Sequence, residues 1–427
     1  MTPAGRLAAA IELLAAIEAA PRKPADAVAN EFFRARRFIG AADRRAISDR
    51  VWMVLRAFRR LTWWLRDAAT PRLLVAASML LIDARGVHAL DAGFSGGRFG
   101  PGPLTEAEHA ALSPLADHTL DHPAMPEAVR LEVPDFLLDR FRARFGAALG
   151  PELAALGVPA PLDLRVNLLR GTREEAIAAL AAEGVEAMPT PLSPWGLRVA
   201  GRRPITGGAA FRAGLVEIQD EGSQLVAALL GAGPGMRVAD LCAGAGGKTL
   251  ALAMSMDNRG HILACDVSAP RLEGAVRRLR RAGVHNVERH LLTPGDKGLK
   301  RRADSFDRVL VDAPCTGTGT WRRNPDARLR LSEADLAELT AKQAGLLDQA
   351  ARLVRKGGRL VYATCSLLAE ENEAQVSAFR DRHPEFVPLE LERAWTVPVP
   401  LAGSFLSLTP RQHGTDGFFA AILERTA

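Results

Sequence analysis

Strand-like and helix-like patterns alternate from about residue 222 to the end of the chain, and this alternation constrains the fold more than any other feature. Such alternation is typical of a doubly wound, mostly parallel sheet with helices on both faces. We therefore expect an α/β, Rossmann-like domain over residues 222–427. Its strands are predicted at residues 238–241, 261–266, 284–292, 308–312, 358–364 and, as an edge strand, 418–423.

The first half of the chain follows other patterns, and 427 residues are more than one domain usually contains. Apolar residues recur at helical spacing over residues 7–19 and 47–61, which predicts an all-α domain over residues 1–130. Short strand-like runs around a helical run predict a small α+β subdomain over residues 131–221, which we expect to be a platform for the substrate. Three tryptophans are expected to anchor the core of the first domain: Trp52, Trp63 and Trp64.

A net charge of +6 and a pI near 9.5 indicate an anionic partner, and nucleic acid fits that charge best. An arginine-rich proteome would explain the same charge without any partner. Seven arginines of the helical domain either contact phosphates or form a solvated helical face. They are Arg34, Arg36, Arg37, Arg44, Arg45, Arg59 and Arg60.

The cysteines argue against a metal centre and against a secreted protein. They form no Cys-x-x-Cys pair and no cluster with histidine, so we expect no metal site. No signal peptide and no apolar run long enough to span a bilayer is visible. We therefore expect a soluble cytoplasmic protein without a membrane partner.

A glycine-rich turn, Asp240-Leu-Cys-Ala-Gly-Ala-Gly-Gly-Lys248, follows the first strand of the α/β domain. Glycines here let backbone amides approach a ligand closely. Cys242 stands where a Walker phosphate loop needs glycine, and Thr249 stands where a dinucleotide fingerprint needs one, so both motifs fail. Asp266 ends the second strand and suits hydrogen bonds to ribose hydroxyls, which favours S-adenosylmethionine. The alternative is a tight strand-to-helix turn without a ligand.

Two cysteines follow the fourth and fifth predicted strands, at the edge where open α/β sheets bind ligands. Cys315 stands in Asp312-Ala-Pro-Cys315, whose proline stiffens the turn, and Cys365 stands in Ala-Thr-Cys365-Ser. If these strands are neighbours, both sulfur atoms face one pocket. The alternative is that one of the two is a small buried apolar residue, and we prefer that interpretation for Cys242 and Cys265.

A thiolate beside a methyl donor suits methylation at C5 of a pyrimidine. C5 of cytosine is a weak nucleophile, but thiolate addition at C6 makes it resemble an enamine carbon, which can attack a sulfonium methyl group. Asp312 is placed to contact N3 of the ring, and Lys248 could lower the pKa of the thiol or contact the base. A second thiol could assist the elimination, and the target base must leave its stack.

These residues resemble the Nol/Nop/Sun family of RNA (cytosine-5) methyltransferases, and within it the RsmB type that acts on ribosomal RNA. The similarity covers almost the whole chain, and the helical N-terminal region is similar to a NusB-like RNA-binding domain. The matching blocks are residues 211–220, the 240–248 turn, Asp312-Ala-Pro-Cys315-Thr-Gly, Arg322-Arg-Asn-Pro-Asp326, Tyr362-Ala-Thr-Cys365-Ser, Glu370-Glu-Asn-Glu373 and Gly414-Thr-Asp-Gly-Phe-Phe.

The resemblance implies that Cys365 is the nucleophile and that Cys315 helps to release the product. It implies S-adenosylmethionine as cofactor and RNA as partner, with small-subunit ribosomal RNA expected and transfer RNA as the rival. No DNA partner is expected, and a monomer suffices. The residues expected to contact the cofactor or its surroundings are Cys242, Ala243, Gly244, Ala245, Gly246, Gly247, Lys248, Asp266 and Asp312.

Two positions depart from the family pattern. Ala245 stands where the family carries proline, which loosens the turn without removing its amides. Thr293 stands where the family carries an acid near the adenine, with Asp296 shortly after it. The main rival function is a catalytically silent RNA-binding or ribosome-assembly factor, against which the retained cysteines, Lys248 and Asp312 argue. A nucleotide-dependent oxidoreductase lacks its fingerprint.

Overall fold

Alanine- and leucine-rich helices build the first of two units in the computed structural model, which describes residues 1–201 and 203–426. This helical unit comprises Met1–Val158 and Trp321–Ser332. Its helices are α1 (Pro3–Glu18), α2 (Ala25–Ala35), α3 (Ala41–Arg56), α4 (Phe58–Leu65), α5 (Pro71–Leu81), α6 (Val87–Gly93), α7 (Glu106–Leu112), α8 (Glu127–Arg130), α9 (Asp135–Phe145), α10 (Leu149–Gly157) and α17 (Ala327–Arg330). Short 3-10 turns lie at Arg66–Ala68, Ser113–Leu115 and Gly146–Ala148.

Several of these helices follow a threonine whose side chain accepts a hydrogen bond from a backbone N–H group of the first turn. Thr2 accepts from Gly5 before α1, and Thr70 accepts from Leu73 before α5. The apolar side chains on the inner helix faces form one core, which confirms the prediction from helical spacing. Its fully buried members include Leu13, Leu14, Ile47, Val51 and Leu61.

The predicted tryptophans take part in this core to different extents. Trp52 and Trp64 are half-buried and pack against it, as expected. Trp63 contacts the rings of Trp64 and His122, with centroid distances of 5.2 and 5.3 Å. Trp63 therefore belongs to a partly exposed aromatic cluster and is not the core anchor that was expected.

Three of the predicted arginines are paired with acidic side chains of the same unit, and the first is Arg36, whose Nη2 lies 3.1 Å from a Glu12 oxygen. Arg59 Nη2 lies 2.9 Å from an Asp135 oxygen, and Arg60 Nε lies 3.1 Å from an oxygen of the buried Glu132. The Arg59 and Arg60 guanidinium groups therefore help to join α4 to the start of α9 and to the residue Glu132 before it. Phosphate contacts by the other arginines stay a prediction.

The second segment of the helical unit, Trp321–Ser332, lies in the sequence between Cys315 and Cys365. Asp326 accepts a hydrogen bond from Ala25 N at 3.0 Å, and Arg328 Nη1 donates to the Glu132 carbonyl at 3.1 Å. Nothing in the sequence indicated that block 322–326 belongs among these helices. The structure is divided into two units, so the predicted division into three domains, residues 1–130, 131–221 and 222–427, stays a prediction.

An antiparallel sheet opens the second unit, which comprises Pro159–Thr320 and the described residues from Glu333 onward. Its strands run in the order β2-β3-β1-β4. They are β1 (Leu162–Val166), β2 (Ala187–Pro189), β3 (Gly196–Val199) and β4 (Val216–Ile218), accompanied by α11 (Arg173–Ala182) and α12 (Ala209–Arg212). The mixed α+β character expected of this region is confirmed, although the short strand β2 was not predicted.

The main sheet has the strand order β10-β12-β9-β8-β5-β6-β7, with β11 paired to β12. Strands β5 to β9 pair in parallel, and β12 runs antiparallel to them. The strands are β5 (Arg237–Asp240), β6 (His261–Asp266), β7 (Val287–Leu291), β8 (Phe306–Asp312), β9 (Val354–Thr364), β10 (Phe386–Pro388), β11 (Leu406–Leu408) and β12 (Phe418–Arg425). The helices are α13 (Glu221–Leu229), α14 (Gly247–Ser255), α15 (Ala269–Ala282), α16 (Lys297–Lys300), α18 (Glu333–Ala351), α19 (Glu373–Arg382), α20 (Leu391–Ala394) and α21 (Pro410–His413), with 3-10 turns at Thr318–Thr320 and Ala369–Glu371.

This topology confirms the predicted doubly wound α/β class and places both sequence motifs at one edge. The strand order reverses beside β5, whose neighbours are β6 and β8. Open sheets bind ligands beyond the carboxyl ends of strands at such a reversal. The glycine turn follows β5, and the two cysteine loops follow β8 and β9. Within residues 1–201 and 203–426, no helix is long and apolar enough to cross a membrane.

One strand was predicted in the wrong place. Residues 418–423 were expected at an edge, but β12 lies inside the sheet between β9 and β10. All six of these residues are buried, because both faces of the strand are covered. The three-residue strands β10 and β11, which flank β12 on its other side, are too short to recognise from their sequences.

Candidate active site

The glycine turn that joins β5 to α14 brings backbone amides to the edge of the sheet. Gly244 and Gly246 have φ values of +55° and +81°, which residues with a Cβ rarely adopt. Gly246 N donates to Ala243 O at 2.9 Å, and Gly244 N donates to Asp266 Oδ2 at 2.8 Å. The carboxylate predicted to contact ribose therefore lies against the turn and helps to fix it.

A cavity of about 730 Å³ opens over this turn. Its wall contains every residue predicted to contact the cofactor except Gly246. Sequence analysis missed several other wall residues, among them Val267, Leu292 and Arg271. Position alone could have indicated the first two, because Val267 directly follows β6 and Leu292 directly follows β7. The cavity has the location and size for a nucleoside-sized ligand.

Lys248 and Asp312 form an ion pair on the wall of this cavity. Lys248 Nζ lies 2.7 Å from Asp312 Oδ2, although the two residues belong to different motifs. Burial by itself would lower the pKa of the Lys248 ammonium group. The charge of Asp312 and its hydrogen bond outweigh burial, so that this pKa lies above its usual value. Lys248 is therefore a cation at neutral pH.

Asp240, at the end of β5, is fully buried behind the turn. Its Oδ2 accepts a hydrogen bond from Thr249 Oγ1 at 2.7 Å, while Oδ1 has no partner among the described residues. Burial raises the pKa of this carboxyl to about 7, although the hydrogen bond from Thr249 opposes the change. The carboxyl can therefore gain or lose a proton near neutral pH.

The structure brings the two predicted cysteines together. Strands β8 and β9 are parallel neighbours, with Asp312 opposite Ala363, so their loops begin side by side. The Sγ atoms of Cys315 and Cys365 lie 3.4 Å apart, and both thiols are free. This distance suits a hydrogen bond between a thiol and a thiolate.

The surroundings of Cys315 favour its protonated form. The hydrogen bond with Cys365, followed by burial and by the negative charge of a Cys365 thiolate, raises the pKa of Cys315 well above its usual value. The Glu371 carboxylate adds to this effect. A thiolate at Cys365 also contributes to the raised pKa of Lys248. The surroundings of Cys315 therefore keep its proton in place.

Comparison with known proteins gives the family. A family model described as 16S rRNA methyltransferase RsmB/F matches residues 227–424, and one described as Methyltr_RsmF/B-like, ferredoxin-like domain matches residues 133–206. This chain and a probable ribosomal RNA small subunit methyltransferase B of Synechocystis sp. are 36% identical. The match covers 72% of this chain and 70% of the length of that protein. The chain belongs to the RsmB/F methyltransferase family. Ribosomal RNA small subunit methyltransferase B of Xylella fastidiosa is 38% identical, over 68% of each chain.

One solved structure is similar to this RsmB/F chain over almost its whole length. The crystal structure of PH0851 matches with a TM-score of 0.81 and 28% identity, over 99% of each chain. This agreement includes the helical N-terminal part and confirms the predicted fold class. Family membership confirms a ribosomal RNA methyltransferase with S-adenosylmethionine as the methyl donor.

The acid expected near the adenine is not on the cavity wall of this RsmB/F protein. Asp296 caps α16 by accepting from Leu299 N at 2.7 Å, and its other oxygen lies 2.9 Å from His290 Nε2. The hydrogen bond from Leu299, followed by that from His290, lowers the pKa of Asp296 to about 2. Thr293 is also absent from the wall, where Leu292 stands instead.

A buried carboxylate that sequence analysis did not single out supports the cysteine loops. Glu371 accepts from Thr316 N at 2.8 Å and from Gln343 Nε2 at 3.0 Å. The hydroxyls of Thr318 and Ser366 lie 3.2 Å apart and link the loop after β8 to the loop after β9. In the sequence, the block around Glu371 is only a match to the family. Nothing in its sequence position after Cys365 predicts these contacts.

The other two cysteines have different surroundings. Cys265 is fully buried in the core behind the sheet, and burial raises its pKa to about 12. This placement agrees with the prediction of a small apolar residue. Cys242 lies on the cavity wall, and burial raises its pKa well above the usual value. Cys242 is therefore a protonated thiol on the cavity wall, and it is only partly buried, so the prediction of a small buried apolar residue is wrong for this cysteine.

Proposed function

We propose that this protein transfers a methyl group to C5 of a cytosine in small-subunit ribosomal RNA through a transient covalent bond to Cys365. The observation that carries the proposal is the pair of free thiols, 3.4 Å apart, in the loops after β8 and β9. Pro314, which directly precedes Cys315, lies on the wall of the cavity. Transfer to an amino or hydroxyl group needs no thiol, whereas C5 of cytosine must first be activated at C6. The names of the similar proteins support ribosomal RNA as the substrate, and transfer RNA is the alternative.

S-adenosylmethionine would supply an electrophilic methyl group from its sulfonium centre. The amides of the glycine turn, Asp266 and the apolar wall residues Val267 and Leu292 are the groups that would hold it. Asp266 has the acceptor oxygens that ribose hydroxyls require. The cavity thus provides hydrogen bonds for the polar part of the cofactor and apolar contacts for its base.

The covalent steps follow from the chemistry of the two thiols. The Cys365 thiolate forms a bond to C6 of the flipped-out cytosine, and the electron pair of the C5–C6 bond becomes available for methylation at C5. After methylation, C5 loses its proton and the Cys365–C6 bond breaks, which restores the thiolate and the aromatic ring. The net change at the ring is the replacement of hydrogen by a methyl group.

Cys315 is the group we assign to product release. The largest cause of its raised pKa is the hydrogen bond with Cys365, and this cause vanishes when Cys365 becomes a neutral thioether. Cys315 can then lose its own proton to solvent and accept the proton from C5. The same pair of sulfur atoms therefore favours a thiol at Cys315 before the attack and a base afterwards.

Lys248 and Asp312 are the polar groups we assign to the base. Asp312 is 30% exposed within its ion pair, so one carboxylate edge is accessible from the cavity. We propose that Asp312 contacts the N3 side of the ring, where charge develops on thiolate addition. Lys248, held as a cation, favours the thiolate form of Cys365.

The remaining features of the proposal concern the whole protein. The NusB-like helical unit is proposed to contact RNA through exposed arginines such as Arg34, Arg37 and Arg45, and the protein is proposed to act as a cytoplasmic monomer. A filter-binding comparison with duplex DNA of equal length tests the expected preference for RNA.

Transfer of tritiated methyl groups to ribosomal RNA from a strain lacking this gene tests the mechanism. We expect Cys365→Ala to abolish turnover. We expect Cys315→Ala to accumulate a protein–RNA adduct that survives a denaturing gel. Cys265→Ala, which removes a thiol that is buried in the core and absent from the cavity wall, serves as the matched control and should retain activity per folded molecule.

The opposite pattern would contradict the assignment of roles. If Cys365→Ala stays fully active while Cys315→Ala is inactive without an adduct, the nucleophile is Cys315. If bisulfite sequencing finds no cytosine whose methylation depends on the gene, cytosine-5 methylation is wrong. Comparison of ribosomal and transfer RNA in the same experiment decides between the two substrates.

A further inference from the structure

Two arginines of the second unit donate hydrogen bonds to backbone carbonyls of the glycine turn, one on either side of Gly246. Arg278 of α15 donates from Nη1 to the Ala245 carbonyl at 2.8 Å. Arg165 of β1, in the antiparallel sheet, donates from Nη1 to the Gly247 carbonyl at 3.0 Å. The turn is therefore held from two separate elements, neither of which belongs to the motif itself.

Residues of β4 and the chain after it connect these two arginines. Glu217 stands opposite Arg165 in the sheet and lies 3.4 Å from Arg278 Nη2. Gln219 Oε1 accepts from Arg165 at 2.6 Å, and Gln219 Nε2 donates to Ser223 Oγ at 3.2 Å. Because Ser223 lies on the cavity wall, this network reaches the cavity at a second point.

The burial of Arg165 is costly and demands an explanation. Its side chain is 2% exposed, and burial lowers its pKa to about 10. A positive charge beside the first residue of α14 also opposes the helix dipole, so Arg165 does not stabilise that helix electrostatically. Its hydrogen bonds instead fix the carbonyl of Gly247 and the side chain of Gln219. These contacts act on the geometry of the turn.

We propose that Arg165 and Arg278 are positioning residues for the methyl donor, because they hold the two carbonyls that flank Gly246 and thereby orient the turn along the cavity. This inference rests on the proposed function in one respect, namely that the cavity binds S-adenosylmethionine. The antiparallel sheet, expected as a platform for RNA, is then also part of the donor site.

Hydrogen–deuterium exchange in the protein without cofactor tests whether the arginines hold the turn. We expect Arg278→Met to speed exchange in peptides covering residues 242–250, with little change in β8 and β9. Arg277→Met is the matched control, because Arg277 is the exposed neighbour on the same helix. Among the described residues, no hydrogen bond or ion pair joins Arg277 to the turn. This control should leave exchange in the turn unchanged.

Calorimetric binding of S-adenosylhomocysteine tests the consequence for the donor site. We expect Arg278→Met to weaken binding roughly tenfold, as loss of one charge-assisted hydrogen bond predicts. Arg278→Lys, which keeps a positively charged donor group, should restore part of that loss. Arg165→Met should weaken binding at least as much, whereas Arg198→Met should not. Arg198 lies on β3 of the same sheet but pairs with Asp163, 2.7 Å away, instead of the turn.

Each outcome decides one question. If Arg278→Met and Arg165→Met lower the melting temperature but leave both turn exchange and affinity unchanged, the arginines only stabilise the fold and the inference is wrong. If Arg165→Met does not fold, the Arg278 series still decides. If the wild-type protein binds no S-adenosylhomocysteine, the proposed function fails, while the exchange data still show whether the arginines hold the turn.

Discussion

Asp240 is expected to make the folded protein less stable as the pH rises towards neutrality. Its pKa is raised by burial from 3.8 to about 7. The folded state therefore binds this proton more tightly than the unfolded chain does. The resulting stability is fully present below pH 4 and is lost as the pH rises through about 7. At 1.36 kcal/mol for each pKa unit, the loss amounts to roughly 4 kcal/mol at most.

Asp240→Asn removes this titration while keeping an oxygen that can accept from Thr249. Urea unfolding of both proteins without cofactor, between pH 4 and pH 8, measures the difference in free energy of unfolding. We expect the wild type to lose stability relative to Asp240→Asn across this range, by up to about 4 kcal/mol. Effects of all other titrating groups cancel in the comparison. Parallel curves for the two proteins would refute the reasoning.

Thr249→Val provides a control for the same carboxyl. The Thr249 hydroxyl donates to Asp240 and lowers its pKa, so it stabilises the charged form. Its removal should therefore destabilise the protein more at pH 8 than at pH 4. In the Asp240→Asn background, the effect of Thr249→Val should no longer depend on pH.

Two further predictions concern packing around the cysteine loops. Gly319→Ala would place a Cβ 2.3 Å from the Gly417 carbonyl oxygen, so we expect a loss of about 3 kcal/mol in chemical denaturation. Gly274→Ala, in open space on α15, should instead stabilise the protein by about 0.5–1 kcal/mol, and equal effects would contradict the packing argument. Glu371→Ala should cost about 2 kcal/mol and slow methyl transfer, because it leaves the Thr316 amide without its acceptor. Glu371→Gln should retain more of the stability and more of the methyl-transfer rate than Glu371→Ala. Wild-type transfer rates in both variants would show that the Cys315 loop does not need the Glu371 side chain.

The parts of the site that could be predicted from the sequence are those that local patterns determine. A turn rich in glycine after an apolar strand fixes where Asp240 and Lys248 lie, since parallel strands end at one edge of a sheet. The same rule predicted that the sulfur atoms of Cys315 and Cys365 come together, and they lie 3.4 Å apart. In each case the strand, its end and the functional residue are adjacent in sequence.

The parts that could not be predicted depend on contacts between distant residues. Arg165 reaches the turn across 82 positions of sequence, and its strand pattern indicated only a platform. Glu371 supports the loop of Cys315 by accepting from Thr316 N, and these two residues are 55 positions apart in the sequence. The interior position of β12 depends on two flanking strands of three residues each, which have no recognisable pattern. Long-range packing decided all three placements.

The central claim is that Cys365 bonds to C6 of a cytosine, and RNA containing 5-fluorocytosine tests it most directly. Fluorine at C5 cannot leave as a proton, so the covalent intermediate of the wild-type protein should persist after methyl transfer. Digestion and mass spectrometry should find the methylated nucleotide attached to the peptide that contains Cys365, and only when S-adenosylmethionine is present. A nucleotide attached to Cys315, or no adduct despite active methyl transfer to unmodified RNA, would contradict the account.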